Sequence, residues 1–153
     1  MAGPAVDVHV TQAAVDARPT PWVLSTPASA VRSYLDWTTY AYRTGQSAVA
    51  QMTMTSYEEV RVDSYCQYNI QQKRLIDQKL ESLVLGTPVK EATCTLVPAQ
   101  EKWTYSYLSI DTGNKRVGGP YTASYDSTYT VVKSATGDWL VDSVQATPKG
   151  TVK

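Results

Sequence analysis

Phenylalanine is absent from this chain of 153 residues, histidine occurs once and cysteine twice. Without phenylalanine, ring burial falls to 11 tyrosines and 4 tryptophans, whose polar tips need a partner or water when the ring is covered. That bias fits half-buried sheet surfaces or a wet, polar-rimmed cleft. The single histidine, His9, lies near the N-terminus, and Cys66 and Cys94 form no close ligand pair of the C-x-x-C kind, so a zinc or haem site from this chain alone is not expected, and no cofactor is implied. The two cysteines fit either one disulfide in an oxidising compartment or two buried thiols. Excess charge is missing as well: 14 basic residues face 14 acidic ones. This leaves no long-range attraction for nucleic acid or an anionic membrane surface. No apolar run of about 18 residues and no basic-then-apolar leader is present, so no membrane insertion is expected.

What the chain does have is enough apolar material for one core. Hydrophobic residues make up 42% and charged residues 18%, and the length favours one domain. Four of the eight prolines, Pro4, Pro19, Pro21 and Pro27, fall within the first 27 residues. Residues 1–25 therefore read as an extended tail or linker, with Val6, Val8 and Val10 available to a sheet edge and Trp22, Val23 and Leu24 as an anchor onto the core. The domain proper is expected at 26–148, with a short tail at 149–153.

Helices come first. Thr26 and Pro27 form a helix start and Gly45 a stop, and between them Val31, Tyr34, Leu35, Thr38, Ala41 and Tyr42 recur at three and four residues as one apolar stripe. A short second helix is expected from Ser47 to about Met54, with Val49, Ala50 and Met52 or Met54 facing inward. Ser56 to Glu59 has capping-box spacing and opens a third helix predicted to reach about Asp77.

From Lys79 the apolar period changes to two. Strands are predicted at Leu80–Gly86, Glu91–Ser109, Tyr121–Lys133 and Trp139 to about Thr147. The stretch from Asp111 to Pro120 reads as a loop, and Ala135–Asp138 as a hairpin turn. Tyr121, Ala123, Tyr125, Ser127, Tyr129 and Val131 share one face. The fold class is α+β: three helices covering one face of a curved four-stranded antiparallel sheet.

Several segments carry a resemblance. Ala30–Trp37, Glu101–Tyr105, Tyr121–Tyr129 and the closing Gly137–Val144, with its Gly turn followed by Trp and alternating valines, resemble the nuclear transport factor two-like (cystatin-like) superfamily over about residues 26–147. In detail they are similar to the intermembrane-space domain of chloroplast-division proteins and its bacterial relatives. The resemblance implies a cone in which a curved sheet wraps the helices and leaves a cavity at its wide end. Members include enzymes, transport and secretion components, and non-catalytic binders. The dehydratase branch would require a histidine paired with an acid, which His9 does not supply. Isomerase or hydrolase chemistry would need acids meeting in the cone. Nothing in the spacing of Asp36, Asp63, Asp77, Glu101, Asp126 and Asp142 requires that they meet, and they read as surface acids and ordinary ion pairs.

Two residue groups are candidate sites. Arg61, Tyr65, Tyr68 and Gln72 share a face of the third helix and, with Trp103, Tyr105 and Tyr125, would line a ligand pocket; the competing reading is a plain helix–sheet contact. Tyr107, Tyr121 and Tyr129 would form an aromatic interaction surface, or ordinary cross-strand stacking. The expected function is a non-catalytic binding or scaffolding domain of a membrane-associated bacterial protein, placed outside the cytoplasm, with a cytoplasmic location as the alternative. Its partner would be a protein or a small polar ligand, with a homodimer through the sheet also open. The alternative function is a small-pocket isomerase or hydrolase using a carboxylate and tyrosines.

Overall fold

The computed structural model describes residues 18–149. The expectation for Val6, Val8 and Val10 falls outside them. Helix α1 spans Pro27–Thr44, a 3-10 turn follows at Ser47–Thr53, and α2 spans Ser56–Gln71. Strands β1 (Arg74–Leu85), β2 (Val89–Lys90), β3 (Thr95–Ser109), β4 (Lys115–Lys133) and β5 (Trp139–Pro148) complete the chain. The four long strands lie in the order β1-β3-β4-β5, all antiparallel, and the two-residue β2 continues the β1 edge along β3. This is the α+β architecture read from the sequence, with a sheet that curls over the helices without closing.

Helix α1 begins where its cap chemistry places it. The Thr26 hydroxyl accepts from the Ser29 amide and the Ser29 hydroxyl accepts from the Thr26 amide, while Gly45 ends the helix at φ 76°. The predicted stripe is buried except for the half-buried Tyr42, and so are Trp37 and Tyr40 away from it. Residues 18–25 cause that second burial. Trp37 Nε1 donates to the Thr20 carbonyl (3.1 Å), Trp22 packs edge-on against Trp37, and the Trp139 amide donates to the Leu24 carbonyl (2.8 Å). Of the anchor residues, only Leu24 is buried. Val97, Ala99 and Trp103 on β3, Tyr129 and Val131 on β4 and Val141 on β5 close the core against α1. Each of these valines stabilises the fold by about 1.5–3 kcal/mol through burial.

Several boundaries differ from the sequence reading. Strand β3 begins at Thr95 rather than Glu91, because the Glu91 amide donates to the Cys94 carbonyl (2.8 Å) and closes a turn there. The α2 cap is Thr55, whose hydroxyl accepts from the Glu58 amide (3.3 Å), so the start is one residue earlier than the Ser56 box. Helix α2 stops at Gln71 because Lys73 adopts φ 60° and turns the chain into β1. Leu75 and Ile76 are accordingly buried strand residues, not helical ones. The Gly118–Pro120 segment belongs to β4, and the turn is confined to the residues around Ile110–Asn114. At Gly119 (φ +95°) a Cβ would sit 2.8 Å from the Tyr105 carbonyl oxygen, so glycine lets β4 pass close to β3 where the register shifts. In the 3-10 turn Ala50 is buried, as is Met54 just after it, whereas Met52 is exposed.

Candidate functional site

Alternation along β3 sets the inner wall of the cone. Val97, Ala99, Glu101 and Trp103 are buried while Gln100 and Lys102 are exposed, so the odd positions face the helices. Register then places Trp103 opposite Ala123 and Leu80, and Tyr105 opposite Tyr121 and Gln78. Helix α2 crosses above this wall. Between α1, α2 and the ends of β4 and β5 opens a cavity of about 940 Å³, walled by Tyr34, Tyr42, Arg61, Tyr65, Tyr68 and Tyr129 among others. A second hollow of about 270 Å³ lies on the sheet side of Tyr65, against Trp103, Tyr105, Tyr107 and Tyr125. Tyr65 and Gln78 line both.

The structure therefore brings Arg61, Tyr65 and Tyr68 to the larger space and Trp103, Tyr105 and Tyr125 to the smaller, with Tyr65 as the partition. Gln72 lies apart from both, as the exposed C-cap of α2. Tyr107 lines the smaller hollow, whereas Tyr121 is exposed and packs on Tyr105 and Tyr107 without lining it. Tyr129 is not a surface residue: it is 2% exposed and its hydroxyl donates to Glu101 Oε2. Because the tyrosine ladder lies on the concave face, a sheet-to-sheet dimer would have to use the opposite face, which carries Lys102, Thr104 and Thr122. Cys66 and Cys94 are free thiols rather than a disulfide, Cys66 buried on α2 and Cys94 in the segment before β3.

Two buried carboxylates were not legible as site residues. Glu101 is buried, not a surface acid: Oε1 accepts from Trp103 Nε1 (2.8 Å) and Oε2 from the Tyr129 hydroxyl. Its signal was position, in phase with Val97, Ala99 and Trp103. Glu58, in the first turn of α2, lines the larger cavity. Its Oε2 accepts from the Tyr34 hydroxyl (2.5 Å) and its Oε1 from Arg61 Nη1 (3.2 Å). Burial raises the Glu58 carboxyl above its ordinary range; the Tyr34 hydrogen bond and Arg61 oppose the shift, while the nearby Asp142 adds to it. Asp142 is in turn held by the Thr55 hydroxyl (2.8 Å). Tyr34, Tyr42 and Tyr129 are all raised, each chiefly by burial, and stay neutral. The cavity is thus a tyrosine-walled space with a carboxyl–guanidinium pair on the α2 side.

Among the described residues, no group of three or more His, Cys, Asp or Glu side chains is placed to hold a metal ion, and no helix is long and apolar enough to cross a membrane.

No protein-family model matches the sequence, and no curated protein matches it. Solved structures do resemble the fold. The intermembrane space region of chloroplast protein ARC6 superposes with a TM-score of 0.66 at 14% identity, covering 84% of this chain and 100% of that one. A protein from Catenulispora acidiphila, in complex with S-DNPA, gives 0.51 at 15% identity over 79% and 92% of the two chains. A conserved protein from Planctomyces limnophilus DSM 3776 gives 0.50 at 14% over 78% and 95%. At such identities the likeness is one of architecture. The helices, the curled antiparallel sheet and the cavity under α2 together make this a domain with the nuclear transport factor two-like fold.

Proposed function

We propose that this is a non-catalytic binding domain that takes a small polar ligand in the cone, and that it works outside the cytoplasm as part of a membrane-associated bacterial protein. The observation that carries the reading is the cavity of about 940 Å³ under α2. Its size lies in the range of small-molecule sites, and it combines ring faces with a few convergent polar groups. Tyrosine hydroxyls, the Gln78 and Gln145 amides and the Glu58–Arg61 pair offer both donors and acceptors. The neighbour in complex with S-DNPA agrees with ligand binding as a use of this fold. The location draws its support from the likeness to an intermembrane space region. Arg61 is half exposed, so Arg61→Ala should abolish binding of polar ligands, read by calorimetry, while the domain stays folded by circular dichroism, with a lowered thermal midpoint because the buried Glu58 loses a partner. Ligand binding unchanged by Arg61→Ala, or no ligand retained by the purified domain or found by screening, would defeat the proposal.

Catalysis is the second reading, favoured by one observation: the Glu58 carboxyl is buried in the cavity wall with a raised pKa and a tyrosine hydroxyl on one oxygen. It would act there as the acid or base of an isomerase or hydrolase. Turnover of any isomerase or hydrolase substrate that disappears in Glu58→Gln while binding persists would establish it in place of the first.

A further inference from the structure

At the far end of the sheet from the β4–β5 turn, where α2 hands over to β1, one arginine is held in an unusual setting. Arg74 Nε donates to Asn69 Oδ1 (2.8 Å), and the buried Asn69 donates through Nδ2 to the Tyr65 carbonyl (2.9 Å). The guanidinium lies 4.1 Å from the centroid of the Tyr107 ring and 5.7 Å from that of Tyr68. Its orientation is thereby fixed on three sides. Among the described residues, Nε is the only nitrogen of that guanidinium with an acceptor, so the Nη edge retains its donors. Tyr107 in turn packs with Tyr105 and Tyr121, with centroids 5.9 Å and 6.2 Å away. Gly118 gives the rings room, since a Cβ there would come within 3.2 Å of the Tyr121 hydroxyl and 3.4 Å of Tyr107.

The charge around this cluster is one-sided. Register sets Arg74 opposite Ser109 and Ser109 opposite Lys115, in one row across three strands. Lys73 and Arg116 are the exposed chain neighbours of that row, and Asp111 is the acid of the adjoining turn. Asp77, further along β1, is engaged by Arg43 at 3.8 Å. Tyr68, Val117 and Tyr121 add exposed apolar area beside these cations.

We propose that this rim is a docking site for an acidic peptide segment of a protein partner, a partner carboxylate seating on the Nη edge of Arg74 between the Tyr68 and Tyr107 rings, with Lys115 alongside. A planar guanidinium held by its Nε and stacked on a ring presents the fork that a carboxylate fits bidentately, with little side-chain entropy left to lose. Single-stranded nucleic acid is the lesser fit. It needs free ring faces for base stacking, whereas Arg74 covers the Tyr107 face and the tyrosines pack against one another. The chain as a whole also carries no net charge. The site shares Tyr68 with the cone cavity and Tyr107 with the smaller hollow, whereas Arg74 and Lys115 line neither, so variants at those two positions separate it from what the cone binds.

The test is a nuclear magnetic resonance titration of the full chain with hexaglutamate, with hexalysine and oligothymidylate as comparisons. Saturable, salt-sensitive shifts confined to Tyr68, Arg74, Tyr107, Lys115 and their neighbours are expected with hexaglutamate. Losing a charge-assisted hydrogen bond should weaken binding about tenfold or more in Arg74→Gln. Arg74→Lys should lose most of the same affinity, because it keeps the charge and removes the fork. Arg74 also braces the α2–β1 turn, so Lys115→Glu supplies a variant at an exposed position; it should weaken hexaglutamate with the rest of the spectrum unmoved. Shifts absent or spread over all surface lysines, affinity unaltered in Lys115→Glu, or oligothymidylate binding more tightly than hexaglutamate would each overturn the proposal.

Discussion

Tyr129→Phe isolates the buried polar contact on which the inner wall of the cone rests. The ring is retained, so its packing edge-on to Tyr34 at 6.1 Å persists, and only the hydroxyl that donates to Glu101 is removed. Glu101 is 7% exposed and keeps one side-chain donor, Trp103 Nε1. Water cannot readily replace the lost bond in so closed a place, and a hydrogen bond to a charged group contributes about 1.5–3 kcal/mol. We therefore expect a loss of about 2 kcal/mol, which in a domain of this size lowers the thermal midpoint by about 6 °C. Urea unfolding followed by circular dichroism measures it, and a double-mutant cycle with Glu101→Gln identifies its source. With the charge gone, the same Tyr129→Phe change should cost about 1 kcal/mol, the worth of a neutral hydrogen bond. A Tyr129→Phe cost below about 0.5 kcal/mol, or the same cost in both backgrounds, would show that Glu101 is solvated and the reasoning wrong.

Three further outcomes follow from single residues. Glu58 has its folded-state pKa raised above the ordinary 4.5, so the folded state holds the extra proton; the stability this contributes is full below 4.5 and is lost as pH rises through the folded value. Stability measured against pH should therefore fall across that window in the parent and fall less in Glu58→Gln, and identical slopes would contradict the assignment. Burial pushes the Cys66 thiol from 9.0 up to about 12, so iodoacetamide at mildly alkaline pH should alkylate the half-buried Cys94 well before Cys66; equal rates, or no free thiol at all, would refute the free, unequal pair. Gly119→Ala combines φ +95° with a Cβ only 2.8 Å from a backbone oxygen and should cost about 2 kcal/mol or more by chemical denaturation, whereas a neutral effect would mean that β4 does not approach β3 as described.

Sequence information was most legible where structure is local. The limits of α1 follow from Thr26, Pro27 and Gly45, each acting on its own backbone, and the β4–β5 turn from the glycine at 137. The α2–β1 boundary was not legible. Lys73 turns at φ 60° without a glycine or proline to mark it, and the apolar residues of β1 continue the helical spacing of α2 by coincidence. Gly118 and Gly119 signal a turn by composition but serve close packing inside a strand, because tyrosine rings and a neighbouring backbone occupy the space a Cβ would need. At the candidate site, the shared face of Arg61, Tyr65 and Tyr68 was visible as periodicity, and the structure sets it over the cavity. Tyr129 and Glu101 were misplaced for one reason. A tyrosine and an acid both look like surface residues until they are paired, and their pairing joins positions 28 residues apart on two strands.

The central claim is that the space under α2 is a ligand site. A fragment screen by amide and methyl chemical-shift perturbation on the full chain measures this directly. Our account predicts polar, ring-containing hits that shift Tyr34, Tyr42, Tyr65 and Val144 together, and that are lost in Arg61→Ala. A screen that leaves every cavity-lining resonance unmoved would contradict it, and the cone would then be no more than the packing solution of a chain that builds its core with tyrosine.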